Sequence, residues 1–199
     1  MNLTERVIDL FNHSIETKKQ SLDLLANPIC ITAELIAQRL STKSRIFTCG
    51  NGGSAGDAQH FASEMLNRFE RERPPLPVIT LTSDTLTITS IANDYHYDQV
   101  FAKPLKGLAN AGDILMVYTT SGQSANVVQA VLAAQQLSMT VIAFTGKTGG
   151  EVAQLLTTND IELRVPSNST ARIQEVHLLI THCLCDLIDR QLFPEIDQK

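Results

Sequence analysis

Two kinds of residue cluster in this sequence could do chemistry. The first is the run Thr119-Thr120-Ser121-Gly122-Gln123-Ser124, which sets four hydroxyls around one glycine. Hydroxyls and free backbone amides ahead of a helix bind an oxyanion without needing a cation. Such a neutral cradle holds a phosphomonoester yet still releases it. The run Cys49-Gly50-Asn51-Gly52-Gly53-Ser54 is a second turn of this type. Its glycines let the backbone approach a ligand, and Ser54 is placed to cap the helix that follows. It is neither a dinucleotide fingerprint nor a nucleotide P-loop, because no Lys-Ser/Thr pair follows. On its own it reads equally well as a tight structural turn. A third glycine turn, Thr145–Gly150, reads as structural.

The second kind of cluster pairs imidazole with carboxylate. His60 and Glu64 share one face of a helical run, one turn apart. That pair can co-ligate a metal or exchange a proton, or simply form a local hydrogen bond. Gln174 and His182 lie on the C-terminal helical run, about 80° apart around its axis, with His177 between them at another angle. Asp94, beside Asn93 and ahead of Tyr95 and Tyr97, can hydrogen-bond sugar hydroxyls or serve as a turn residue.

The elements that must position these groups alternate. Helical spacing predicts a helix over Leu3–Leu25 and a second over Ile29–Leu40, broken at Asn27-Pro28. These two form an N-terminal hairpin outside the repeating core. Strands are predicted at Arg45–Cys49, Pro77–Leu81, Ile114–Tyr118, Thr140–Phe144 and Ile161–Val165. Helices follow at Ser54–Phe69, Asp84–Ile91, Ala125–Leu137, Glu151–Leu155 and Thr170–Leu192. This order predicts an α/β fold: a doubly wound, flavodoxin-like parallel sheet of five strands with helices on both faces. Ligands then bind at the C-terminal strand ends, where both hydroxyl-rich turns fall. No repeat, low-complexity run or linker divides the chain, so residues 1–199 read as one domain: helices over 1–42 and an α/β core over 43–199.

Composition narrows the function classes. With 43% apolar residues, net charge −5 and pI about 5.5, the chain has no basic stripe for nucleic acid. Arg68, Arg71 and Arg73 alternate with Glu70 and Glu72, the pattern of a solvated helix end. No signal peptide and no membrane-spanning run is visible. Cys30, Cys49, Cys183 and Cys185 lack zinc-ribbon spacing and read as reduced, buried thiols of a cytoplasmic protein.

Taken in order, CGNGGS, QHFASE, TSGQSANV, FTGKTGG and RIQEVH with the later His182 resemble the phosphoheptose isomerase family over almost the whole chain. These enzymes are single sugar-isomerase (SIS) domains. The resemblance implies conversion of sedoheptulose 7-phosphate to D-glycero-D-manno-heptose 7-phosphate, a step toward the heptose of lipopolysaccharide. It also implies that Thr119, Thr120, Ser121 and Ser124 hold the phosphate, with Gly52, Gly53 and Ser54 nearby. Asn51, Asp94 and Gln174 would contact the sugar, and Glu64 and His182 would transfer protons. His60, Glu64, Gln174 and His182 match the residues that hold one zinc ion per subunit in members with a metal. Glu64 is therefore either base or metal ligand. The family forms homotetramers with sites between subunits, and the wide apolar stripes of the first helices fit burial against sister subunits. A relative of the same fold is a non-catalytic tetrameric adaptor for the replication initiator DnaA. Asn67–Pro74 and the CLCDLID run resemble it, so an initiator partner is a second expectation. In that relative the positions of Glu64 and His182 lack acid–base groups. Here both are ionisable, which favours the enzyme. Some isomerases carry an aspartate ahead of RIQE; here Ser169 and Thr170 stand in that run.

Overall fold

The computed structural model describes residues 2–194. Five strands, β1 (Ile46–Gly50), β2 (Val78–Thr80), β3 (Ile114–Tyr118), β4 (Thr140–Gly146) and β5 (Ile161–Val165), form one parallel sheet in the order β2-β1-β3-β4-β5. This is the flavodoxin-like order predicted from the alternation. Residues along β1, β3 and β4 are buried throughout, as strands covered on both faces must be. Alternate side chains feed two separate cores. Ile114, Met116 and Tyr118 point into one, Leu115 and Val117 into the other.

The first core is roofed by α1 (Leu3–Ser41), α2 (Gly53–Leu66) and α7 (Thr170–Leu192). The second is covered by α3 (Thr85–Asp94), α4 (Ala102–Leu108), α5 (Ala125–Gln136) and α6 (Gly150–Leu155). The crossovers change sides between β1 and β3, whose ends pair at Gly50 and Tyr118. That reversal opens a crevice at the C-terminal edge of the sheet.

Three expectations are corrected. The N-terminal hairpin is a single continuous helix, α1, with Pro28 inside it. A mid-helix proline costs about 3 kcal/mol. Leu25, Ile36 and Leu40 are buried on one face of α1, and each contributes about 1.5–3 kcal/mol, so packing outweighs the break. Leu24, whose carbonyl loses its helical donor to the proline, lies on the exposed side, where water can serve it. Hence the C-terminal half of α1 belongs to the core rather than standing outside it. Second, α2 stops at Leu66, and Arg73 is no solvated end: it is 5% exposed and paired with buried Asp189 at 2.8 Å. Third, α2 begins at Gly53 with Gly52 as its N-cap, so Ser54 lies inside the helix and does not cap it. Of the thiols, Cys49 and Cys185 are buried as expected, whereas Cys30 is exposed. Among the described residues, no helix is long and apolar enough to cross a membrane.

Candidate active site

The crevice at the strand ends is a cleft of about 200 Å3. Asn51 follows β1, Thr119, Thr120, Ser121 and Ser124 follow β3, and Ser54, Thr170 and Gln174 come from the starts of α2 and α7; all line it. Three helices therefore begin here: α2, α5 and α7. None has a side-chain N-cap hydrogen bond, so their first-turn amides have no capping side chain. Each N-terminus carries a partial positive charge. Among the described residues, no Lys or Arg lines the cleft. An anion there meets hydroxyls and helix ends, the neutral cradle read from the sequence.

The cradle has a fixed shape. Thr119 Oγ1 accepts a hydrogen bond from the Gly122 amide at 3.0 Å, and Ser121 Oγ accepts one from the Gln123 amide at 3.2 Å. Behind it stand the turn Gly146–Gly150 and the start of α6, whose Val152 amide donates to the Gly122 carbonyl at 3.0 Å. The structural reading of that turn holds: it buttresses the cradle. At the other wall, a Cβ on Gly53 would lie 2.6 Å from the Gln174 amide nitrogen, so only glycine lets Gln174 reach over the start of α2.

Further along α2 and α7, His60 Nε2 lies 3.0 Å from His182 Nε2 and 3.3 Å from Glu64 Oε1. Phe69 stacks on the outer face of His182 with ring centroids 5.6 Å apart. The His60 and Glu64 side chains remain 40% and 25% exposed. At most one proton fits between the two facing nitrogens. That arrangement suits proton relay, and it also suits a cation. Two imidazoles and a carboxylate are zinc donors, and donors around a tetrahedral zinc at about 2.0–2.1 Å stand roughly 3.3 Å apart. Among the described residues, no three His, Cys, Asp or Glu side chains are already arranged to hold a metal. Here the two imidazoles touch each other, and a separation of a few tenths of an ångström would bring them to ligand spacing.

Of the predicted site residues, Asn51, Ser54, Thr119, Thr120, Ser121, Ser124 and Gln174 come together in the cleft. Gly52 and Gly53 stand at the head of α2, and His60, Glu64 and His182 meet on the two helices. Asp94 does not line the cleft: it ends α3, exposed, and accepts from the Asn93 amide at 2.9 Å. Tyr97, three residues on, reaches Asn51 instead, its hydroxyl 3.4 Å from Oδ1. His177 is a core histidine: Nε2 meets the Thr145 carbonyl at 2.9 Å, and burial lowers its pKa to about 4.

Sequence reasoning missed two polar residues beside the cleft. Asn126, on the buried face of α5, exchanges two 2.8 Å amide hydrogen bonds with Asn51 and fixes its orientation. Asp57, on α2 one turn before His60, is 9% exposed with Oδ2 buried and without a hydrogen bond. Burial pushes its carboxyl up to about 6, opposed by the nearby charge of His60. A folded-state pKa above the unfolded value of 3.8 means that the native protein binds the extra proton between these values. Stability is thereby lost as pH rises from about 4 to about 6. Asp57→Asn is therefore expected to stabilise the protein by about 1–3 kcal/mol near neutral pH. The gain should vanish below about pH 4, where wild-type Asp57 is already neutral in both states. Thermal melts of both proteins across pH 4–8 check this, and a constant difference across that range refutes it. His177, conserved in both proteins of that comparison, has the opposite sign: its contribution is lost as pH falls from 6.5 toward 4.

Residues 10–146 match the SIS domain family. A phosphoheptose isomerase of Shewanella sediminis is 57% identical over 197 residues, covering 99% of this chain and 100% of that protein. A solved phosphoheptose isomerase from Francisella tularensis superposes with a TM-score of 0.93 at 47% identity, over 96% of this chain and 100% of that one. One from Neisseria gonorrhoeae gives 0.90 at 47% identity, over 94% and 99%. With an anion cradle at one end of the cleft and an imidazole–carboxylate cluster on the helices that bound it, the chain belongs to the phosphoheptose isomerases, sugar-phosphate isomerases built on a single SIS domain.

Proposed function

We propose that this protein interconverts sedoheptulose 7-phosphate and D-glycero-D-manno-heptose 7-phosphate in the cytoplasm, supplying heptose for lipopolysaccharide. One observation carries the reading: the cleft that holds the cradle is walled by the first residues of α2 and α7, and the His60–Glu64–His182 cluster lies farther along the same two helices. Gln174 in the cleft and His182 in the cluster are eight residues, about 12 Å, apart along α7. That is the length scale of an open seven-carbon chain with phosphate at one end. Binding energy gathered at the phosphate then orients the carbonyl end.

The reaction moves a proton between C1 and C2 through a cis-enediol. Glu64 takes the proton from C1 of the ketose and returns it to C2. His182 protonates the C2 carbonyl oxygen as the enediol forms and takes the proton of the C1 hydroxyl as the aldehyde forms, which restores it. Asn51, oriented by Asn126, and Gln174 hold sugar hydroxyls. His60, Glu64 and His182 would hold zinc, one ion per subunit, which would polarise the sugar oxygens; Gln174, the fourth expected ligand, stands about 12 Å away along α7, in the cleft. A coordinated carboxylate is a weaker base, so the ligand and base roles of Glu64 compete. The exposed apolar side chains Leu3, Val7, Ile8, Phe11 and Ile15 on α1 support a homotetramer. The ionisable groups at Glu64 and His182 favour the isomerase over the initiator-binding adaptor.

Turnover of sedoheptulose 7-phosphate by the purified protein, with and without a chelator, tests this. The expected result is isomerase activity. Loss of that activity on chelation, with recovery on adding zinc, assigns Glu64 to the metal. Activity indifferent to chelation leaves it as base. No turnover by folded protein overturns the reading.

A further inference from the structure

The segment 67–74 between α2 and β2 has no regular structure, yet it touches both helices that carry the acid–base cluster. The last carbonyls of a helix have no intrahelical donor. In α2 those carbonyls follow directly from Glu64. Arg73 supplies the donors: Nη2 to the Glu64 carbonyl at 2.9 Å and Nη1 to the Met65 carbonyl at 2.7 Å. The same guanidinium donates through Nε to Asp189 Oδ1 on α7 at 2.8 Å. Both side chains are almost fully buried, and Asp189 Oδ2 has no hydrogen bond among the described residues. Asp189 stands seven residues, two helical turns, beyond His182. Phe69 of the same segment stacks on the His182 ring.

We propose that Arg73, with Asp189 and Phe69, forms a brace that sets the register of α2 against α7 and so holds Glu64 and His60 opposite His182. Arg73 and Phe69 are positioning residues: neither need touch substrate. Apolar packing between α2 and α7 resists separation but is tolerant of small slides. A planar fork that grips two carbonyls of one helix and a carboxylate of the other fixes their relative height. Lysine keeps the charge at this position but loses the fork. The proposal rests on the isomerase reading for its catalytic consequence, whereas its geometric content stands apart from that reading.

The test uses full-length Arg73→Lys and, as a variant that disturbs no hydrogen bond, Phe69→Leu. Steady-state turnover is measured beside the ring signals of 15N-labelled histidines. Displacement of a reacting group by about 1 Å costs on the order of 100-fold. Both variants are expected to lose kcat by about 10- to 100-fold with KM within about twofold, because the cradle is untouched. The His60 and His182 signals should move while that of His177, held in the core by Thr145, stays in place. A merely structural role would shift all three or none. Wild-type kcat and unmoved His60 and His182 signals in Phe69→Leu, or in folded Arg73→Lys, overturn the brace. Should wild type itself fail to turn over the sugar, the isomerase reading falls and the histidine signals alone decide the brace.

Discussion

Glu64→Gln is expected to lower kcat by roughly 1,000-fold while leaving KM within about threefold, the range that general acid–base catalysis commands. Glutamine keeps the shape of the side chain, and its carbonyl oxygen can still accept from His60 Nε2, which lies 3.3 Å from Glu64 Oε1. What it loses is basicity. The C1 proton of a ketose is only weakly acidic, and among the described residues no other carboxylate is hydrogen-bonded into the His60–His182 pair. Substrate binding should survive, because the proposed phosphate cradle of Ser121, Ser124 and the helix N-termini lies at the cleft end, away from the change. Steady-state kinetics, with product affinity measured by calorimetry, separates the two parameters. Turnover of the variant at the wild-type rate would remove Glu64 from proton transfer and leave it as a metal ligand or a local partner of His60. The half-exposed cluster also bears on this result. His60 and Glu64 are open enough to admit substrate yet close enough to share a proton.

Much of this was legible because each signal had a local cause. Strands buried on both faces read as short apolar runs, and β3, β5 and α7 fall on their predicted bounds. The hydroxyl cradle was legible because it directly follows a strand, where the α/β fold gathers ligands. The failures share a different cause: tertiary contacts that no local pattern announces. Pro28 looked like a break because the buried face that carries α1 across it is built by α7 and the sheet. Helix α4 contains Pro104 and Gly107 within seven residues and gave no periodic signal. Arg73 sat in alternating charges that resemble a solvated surface, and only its burial against Asp189 distinguishes it from Arg68, which pairs with Glu72 in the open. Asp57 and Asn126 are single polar residues on helices, a pattern that reads as surface; they matter because the helix turns them inward beside Tyr118 and Asn51. Asp94 shows how far local placement reaches: it follows the right strand, and its side chain is exposed and paired with Asn93 rather than lining the cleft of this chain.

Gly122→Ala should damage the cradle more than any single hydroxyl deletion. Gly122 has φ +66, a left-handed conformation that costs alanine about 1–2 kcal/mol. The larger effect is contact. A Cβ there would stand 1.8 Å from the Gly149 carbonyl oxygen, which is backbone and has no rotamer to escape into. On the opposing turn, a Cβ on Gly150 would meet the Ser121 carbonyl at 2.4 Å, so the two turns interlock and neither can yield alone. Forcing them apart moves Ser121 and the Gly122 and Gln123 amides, the groups that form the phosphate end of the cleft. The expected outcome is a KM for the sugar phosphate raised by about 100-fold, the scale of a 1 Å misplacement. Glu64 and His182 lie outside this turn, so the rate at saturation should fall much less. Gly112→Ala is the control: its φ of +88 is also positive, its Cβ would meet nothing closer than 4.0 Å, and it precedes β3, at the end away from the cleft. Equal losses in the two variants would assign the effect to backbone strain, whereas a large loss confined to Gly122→Ala assigns it to the interlocked turns and makes the glycine-rich loop after β4 part of the phosphate site, although none of its side chains faces the ligand.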